Sequence, residues 1–263
     1  MDLRALTSAI FLLGCLASGA GAQLAAPNAA GVSMGHYHLN VRDPEAHRVF
    51  WTTLGGTPAK LGDLDVIKFP DVLVLYRKAE VAGGTEGSVI GHVGFRVKDL
   101  HASLEKWRAA GLKIVPGASP HQVFVIAPDE IRVEMTEDPS LDVPIANHHI
   151  HFYTSSVGET KAWYVKMFGA RPGKRGPFEA ADLPGVNLTF SQTSGPVAGT
   201  KGRALDHIGF EVRDLEAFCR KLEAAGVRFD MAYRKIPALG ISIAFLTDPW
   251  GTNIELTEGL NRI

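Results

Sequence analysis

Apolar residues fall on every second position in four short stretches of the chain: GHYHLNV (35–41), GHVGFRV (91–97), HHIHFYT (148–154) and DHIGFEV (206–212). Successive side chains of a strand point to opposite faces, so each stretch predicts a strand with two unlike sides. One side carries Tyr37, Leu39 and Val41; Val93, Phe95 and Val97; Ile150 and Phe152; and Ile208, Phe210 and Val212. That side predicts packing against helices. The opposite side carries His36, His38 and Asn40; His92, Gly94 and Arg96; His149, His151 and Tyr153; and His207, Gly209 and Glu211. A face so rich in imidazole needs water, a hydrogen-bonding partner or a metal. Two further stretches, APDEIRVEM (127–135) and DPWGTNIEL (248–256), read as a turn leading into a strand. They place Glu134 between Val133 and Met135, and Glu255 between Ile254 and Leu256, each glutamate six residues after its proline.

Between these strands a helical period returns four times, over 44–54, 100–110, 159–168 and 215–225. The chain is thus one unit repeated four times: strand, helix, then three strands. The repeats alternate in style. Helices one and three end in aromatic pairs, Phe50-Trp51 and Trp163-Tyr164, whereas two and four end in Ala-Ala-Gly at 109–111 and 224–226. Glycine there suits a left-handed helix stop. Gly-rich connectors at 82–88 and 194–202 join units one to two and three to four. The link 141–146 divides the halves, predicting an N-terminal domain over 35–140 and a C-terminal domain over 146–260, after a flexible lead-in at 23–34.

Net charge is −1 and charged residues make up 21% of the chain, so no basic excess points to nucleic acid. Cys219 sits among Leu215, Phe218 and Leu222 on a helix, where it reads as a small buried apolar side chain. The other cysteine, Cys15, lies in a leader. Residues 1–22 resemble an export signal: Arg4, the apolar run Ala5–Leu13, and Ala20-Gly21-Ala22 as a cleavage site. The reading is of an exported, periplasmic or secreted protein. Leu12-Leu13-Gly14-Cys15 also resembles a lipobox, which would leave a lipid anchor at Cys15. No other segment is long and apolar enough to span a bilayer.

Four strand–helix–three-strand units with His on the first strands and Glu on the last resemble the vicinal oxygen chelate superfamily, which includes glyoxalase I, extradiol dioxygenases and bleomycin resistance proteins. DPWGTNIELTE is the most specific piece of the likeness. The resemblance implies an α+β fold in which βαβββ units pair into two curved mixed sheets, with helices outside and metal and substrate inside each cup. It implies a divalent metal (Fe, Mn or Zn) held by His149, His207 and Glu255, with a second site at His36, His92 and Glu134. Two histidines and one carboxylate leave positions open for substrate oxygens or dioxygen.

Arg96 and Arg132 on the inner face of the N-terminal cup would pair with Glu134 and repel a cation, which favours the C-terminal cup for metal. The carboxylate that glyoxalase I carries at a fourth position is replaced by Thr189 and Leu75, which argues against a true glyoxalase I. The tyrosine and histidine expected of an extradiol dioxygenase are replaced by Phe245 and by Ile236-Pro237-Ala238. His151 and Tyr153 are then the available groups for proton transfer. The resemblance implies a dioxygenase, lyase or isomerase acting on a small molecule. The alternative is a metal-free binding protein of the bleomycin resistance type.

Overall fold

A computed structural model describes residues 24–263. The export and lipobox readings, including Cys15, concern residues outside those described. Unit one comprises β1 (Val32–Val41), α1 (Pro44–Leu54), β2 (Thr57–Leu61), β3 (Leu64–Phe69) and β4 (Val72–Lys78). Unit two comprises β5 (Ile90–Val97), α2 (Leu100–Ala109), β6 (Lys113–Pro116), β7 (Gln122–Ala127) and β8 (Ile131–Glu137). Unit three comprises β9 (Ile145–Thr154), α3 (Val157–Phe168), β10 (Arg171–Arg175), β11 (Phe178–Leu183) and β12 (Val186–Gln192). Unit four comprises β13 (Leu205–Val212), α4 (Leu215–Ala224), β14 (Phe229–Ile236), β15 (Ile241–Thr247) and β16 (Asn253–Glu258).

Local chemistry explains where these elements begin and end. Asp43, Asp99 and Asp214 cap α1, α2 and α4 by accepting from free backbone N–H groups of the first turn. Gly169 closes α3 at φ 67°, a left-handed conformation that costs glycine little. In DPWG the Asp248 carboxylate accepts from the backbone N–H of Trp250 and Thr252 and from the Tyr164 hydroxyl, so one buried side chain builds the turn that launches β16.

The strands form two eight-stranded mixed sheets, each curved into a cup. Their orders are β14-β15-β16-β13-β1-β4-β3-β2 and β10-β11-β12-β9-β5-β8-β7-β6. Tyr37, Phe95, Phe152 and Phe210 turn to the outer side, each at most 1% exposed, where they join Trp51, Trp107, Tyr164 and Phe168 in the main core. Cys219 is buried in that core, and burial pushes its thiol up to about 11. Among the described residues no helix is long and apolar enough to cross a membrane.

The cups do not follow the division at 141–146. β1 pairs antiparallel with β13, setting Tyr37 opposite Ile208, and β5 pairs antiparallel with β9, setting Val93 opposite Ile150. Units one and four therefore share one sheet, here the terminal cup. Units two and three share the other, the central cup, which is a continuous stretch of chain. The domains expected at 35–140 and 146–260 each give strands to both sheets. Connector length supplies the physical reason. The link from β8 to β9 is short and stays within one sheet. The two Gly-rich connectors are longer and run side by side between the sheets, bonded through Ala82 N to Gly202 O, Val89 N to Ala198 O and Ala204 N to Gly83 O.

Candidate metal centre

Strand pairing decides which polar side chains meet. In the terminal cup, His36 on β1 lies opposite Gly209 on β13, which in turn lies beside Glu255 on β16. Because residue 209 has no side chain, the His36 ring lies across it toward the glutamate; a Cβ there would overlap the ring. His36 Nε2 comes to 2.9 Å and His207 Nε2 to 3.0 Å of the same atom, Glu255 Oε2. His38 stacks on His207 with ring centroids 4.4 Å apart, and its Nε2 is buried with no partner. The ligand atoms of His36, His38, His207 and Glu255 lie within 4.8 Å of one another.

A second tier orients His207. Asp206 Oδ1 accepts from its Nδ1 at 2.6 Å, which fixes the tautomer and turns Nε2 inward. Asp206 also accepts from Asn40 Nδ2 at 3.0 Å, Gly202 N at 2.7 Å and Asn253 Nδ2 at 3.2 Å. Burial works against ionising Asp206, yet these bonds outweigh it and bring the carboxyl down to about 2. Burial likewise opposes charge on Glu255, but the His207 and His36 bonds hold it ionised, below its ordinary range. His207 is raised: its burial is overcome by Asp206 and Glu255. His36 is lowered by burial, with Glu255 opposing, and His38 is lowered strongly by burial and by the facing His207 and His36.

This donor set fits a divalent cation. Two imidazoles and an ionised carboxylate converge, a third buried imidazole has an unpartnered Nε2, and a cation would take the place between His207 Nε2 and Glu255 Oε2 that a hydrogen bond now fills. The cup around it is apolar. Leu24, Leu61, Val66, Leu73, Leu75, Ile241, Ile243 and Leu260 form one buried apolar cluster, to which this sheet's strands contribute. Asn253 orients Asp206, while Glu211 accepts from Thr257 Oγ1 and Gly259 N and so serves the backbone beyond β16.

The central cup repeats the plan with His149 across Gly94 and with His92, His151 and Glu134. Here Glu134 is engaged by Arg175 of β10, whose Nη2 donates to Oε1 at 2.7 Å. His92 Nε2 lies 3.0 Å and His149 Nε2 3.7 Å from Glu134 Oε2, neither aligned as a hydrogen bond. Burial lowers His149 strongly and Arg175 adds to it; burial, His92 and Arg175 bring His151 down to about 3. A guanidinium on the only carboxylate of this cluster disfavours a cation.

The expected groupings are corrected by this geometry. His149 does not join His207 and Glu255, and His36 does not join His92 and Glu134; each cup exchanges one histidine because the halves interlock. His151 and Tyr153, expected near the metal, stand in the central cup, where His151 Nε2 meets Ser191 Oγ at 2.7 Å and its ring stacks on Tyr153. Arg96 and Arg132 do not reach Glu134: Arg96 pairs with Asp138 and His148, and Arg132 lies over Phe124. Arg175 and Asp206 were missed. Arg175 lies on a strand, RPGKR, whose sequence has no apolar alternation to mark its inner face. Asp206 did carry a signal, since it replaces the glycine of GHVGFRV in an otherwise matching motif.

Residues 146–256 match the family model described as the Glyoxalase/Bleomycin resistance protein/Dioxygenase superfamily. Among solved structures, glyoxalase I of Zea mays aligns over 88% of this chain and 94% of its own, at 16% identity and a TM-score of 0.69. A Bacillus subtilis protein provisionally named a dioxygenase aligns over 90% of this chain and 86% of its own, at 13% identity and a TM-score of 0.65. At such identities the structural likeness concerns the fold. No curated protein sequence matches the chain.

Proposed function

We propose, for a chain that belongs to the vicinal oxygen chelate superfamily, a metalloenzyme whose divalent cation is held by His36, His207 and Glu255 of the terminal cup. The observation that carries this reading is the convergence of both Nε2 atoms on Glu255 Oε2, with the Asp206 bond behind His207. Bound there, Fe, Mn or Zn would act as a Lewis acid on two adjacent oxygens of a small substrate.

The remaining chemistry belongs to the chain. Leu73, Leu75 and Phe245 exclude water and favour a substrate with an apolar body. Phe245 faces Glu255 across the β15–β16 pair and supplies no acid or base. His38, kept neutral by burial, has the buried unpartnered Nε2 that proton transfer needs. A base without a phenol beside it favours a lyase or isomerase over ring cleavage with dioxygen. The leader at 1–22 supports export as part of the same proposal.

Elemental analysis of protein purified without chelators tests the site. About one divalent ion per chain is expected, lost in Glu255→Ala and kept in Glu134→Ala. The reverse pattern would move the centre to the central cup. No ion in either, after metals are added back, would overturn the enzyme and leave a binding protein. Oxygen uptake with a catechol panel then separates a dioxygenase from an isomerase.

A further inference from the structure

We propose that the central cup is a binding site for a small organic carboxylate, received by the Arg132 guanidinium beside His92 and Tyr153 and independent of the cation in the terminal cup. A cavity of ≈ 310 Å³ opens there, its wall including Gly91, His92, Phe124, Arg132 and Tyr153, with Glu86 at its exposed side. That volume lies at the small end of ligand pockets.

Strand register shows how the space and its charge arise. Gly91 stands where the terminal cup has Asp206, so a carboxylate is absent at this position and the Tyr153 ring lies against the glycine. Arg132 stands where the other cup has Asn253, Arg96 where it has Glu211, and Arg175 where it has Leu61. At three inner positions the central cup thus carries an arginine where the terminal cup has a neutral or acidic side chain, Asn253, Leu61 and Glu211. Arg175 is occupied by Glu134, and Arg96 by Asp138 and His148.

Arg132 is different. Its guanidinium carbon lies 4.5 Å from the centre of the Phe124 ring. The carboxylate in ion-pair range is Glu86, 3.8 Å away on a side chain 85% exposed, a contact that water and salt screen. A guanidinium packed against an aromatic ring with its charge largely unanswered has an N–H fork that suits a carboxylate, which binds such a fork bidentately. Burial raises Tyr153, so its hydroxyl keeps its proton and can donate. Phe124 and Val197 offer an apolar wall to the rest of the ligand.

Calorimetric titration of chelator-treated full-length protein with benzoate and with 2-oxobutyrate, an aromatic and an aliphatic carboxylate, tests the site. At least one should bind, weaken about tenfold or more in Arg132→Gln, and bind Glu255→Ala as it binds the wild type. Benzamide, isosteric with benzoate but neutral, should bind more weakly than benzoate wherever benzoate binds. The proposal falls if neither carboxylate binds, if Arg132→Gln binds as well as wild type while its melting temperature is unchanged, or if binding appears only when metal is restored.

Discussion

The two cups carry the same four side chains at the same register, yet the structure supports a cation in only one. His36, His38, His207 and Glu255 correspond to His149, His151, His92 and Glu134, and in both a glycine lets the first imidazole reach the carboxylate. What differs lies around them. The terminal cup backs His207 with Asp206 and walls the site with leucine and isoleucine. The central cup puts Arg175 on its glutamate and polar Asn187, Thr189 and Ser191 on the strand where the other has Leu73, Leu75 and Arg77. A donor set is therefore an incomplete description of a metal site: the charge on the next side chain decides whether the carboxylate is free.

The strongest test of this contrast adds one methyl group to each cup. Gly209→Ala and Gly94→Ala both press on an imidazole and should cost about 1–3 kcal/mol of stability each. Only Gly209→Ala should also lose the bound ion, read by metal content beside thermal unfolding. Arg175→Leu gives the central cup the residue of the terminal one and frees Glu134; a second ion per chain should then bind in a manganese or zinc titration. Stoichiometry remaining at one would show that Arg175 is not what separates the cups. Asp206→Asn keeps the shape but weakens the hold on His207, and metal affinity should fall about 10–100-fold with little change in the fold.

The smallest effect lies outside both cups. His47 is fully buried against Asp129 at 3.2 Å; burial lowers its pKa while Asp129 opposes. The unfolded chain takes up this proton near pH 6.5, the folded chain only at lower pH, so the unfolded state binds more protons as pH falls. The contribution of His47 is thus present above about pH 6.5 and lost as pH falls below it. His47→Gln should flatten the stability profile between about pH 7 and 5, at a cost of about 1 kcal/mol at neutral pH.

Much of this architecture was legible in the sequence. Alternation assigned Tyr37, Val93, Ile150 and Ile208 to the helix side, and all are at most 1% exposed. It assigned every histidine and glutamate of both clusters to the inner side. The partners were not legible, because β1 has the same alternation as β5 and β9, and its face would match either as well as β13. Register between His36 and Gly209 is a contact across most of the chain, and no local pattern reports it. The lengths of the connectors did hold the information: the short link at 141–146 joins units that share a sheet, and the glycine-rich ones cross between sheets.

The nesting of the central cup inside the terminal one sets an order of assembly. Strands β5 to β12 follow one another without a break, so a chain still being synthesised has every residue of the central cup available once Gln192 has emerged. At that moment the terminal cup has His36 and His38 but lacks His207 and Glu255, which lies 219 residues beyond His36. N-terminal units fold first during synthesis, and distant pairings come last. The proposed cation site is thus the last part of the protein to be assembled, and an ion bound there would certify that both arms of the chain have closed around the middle.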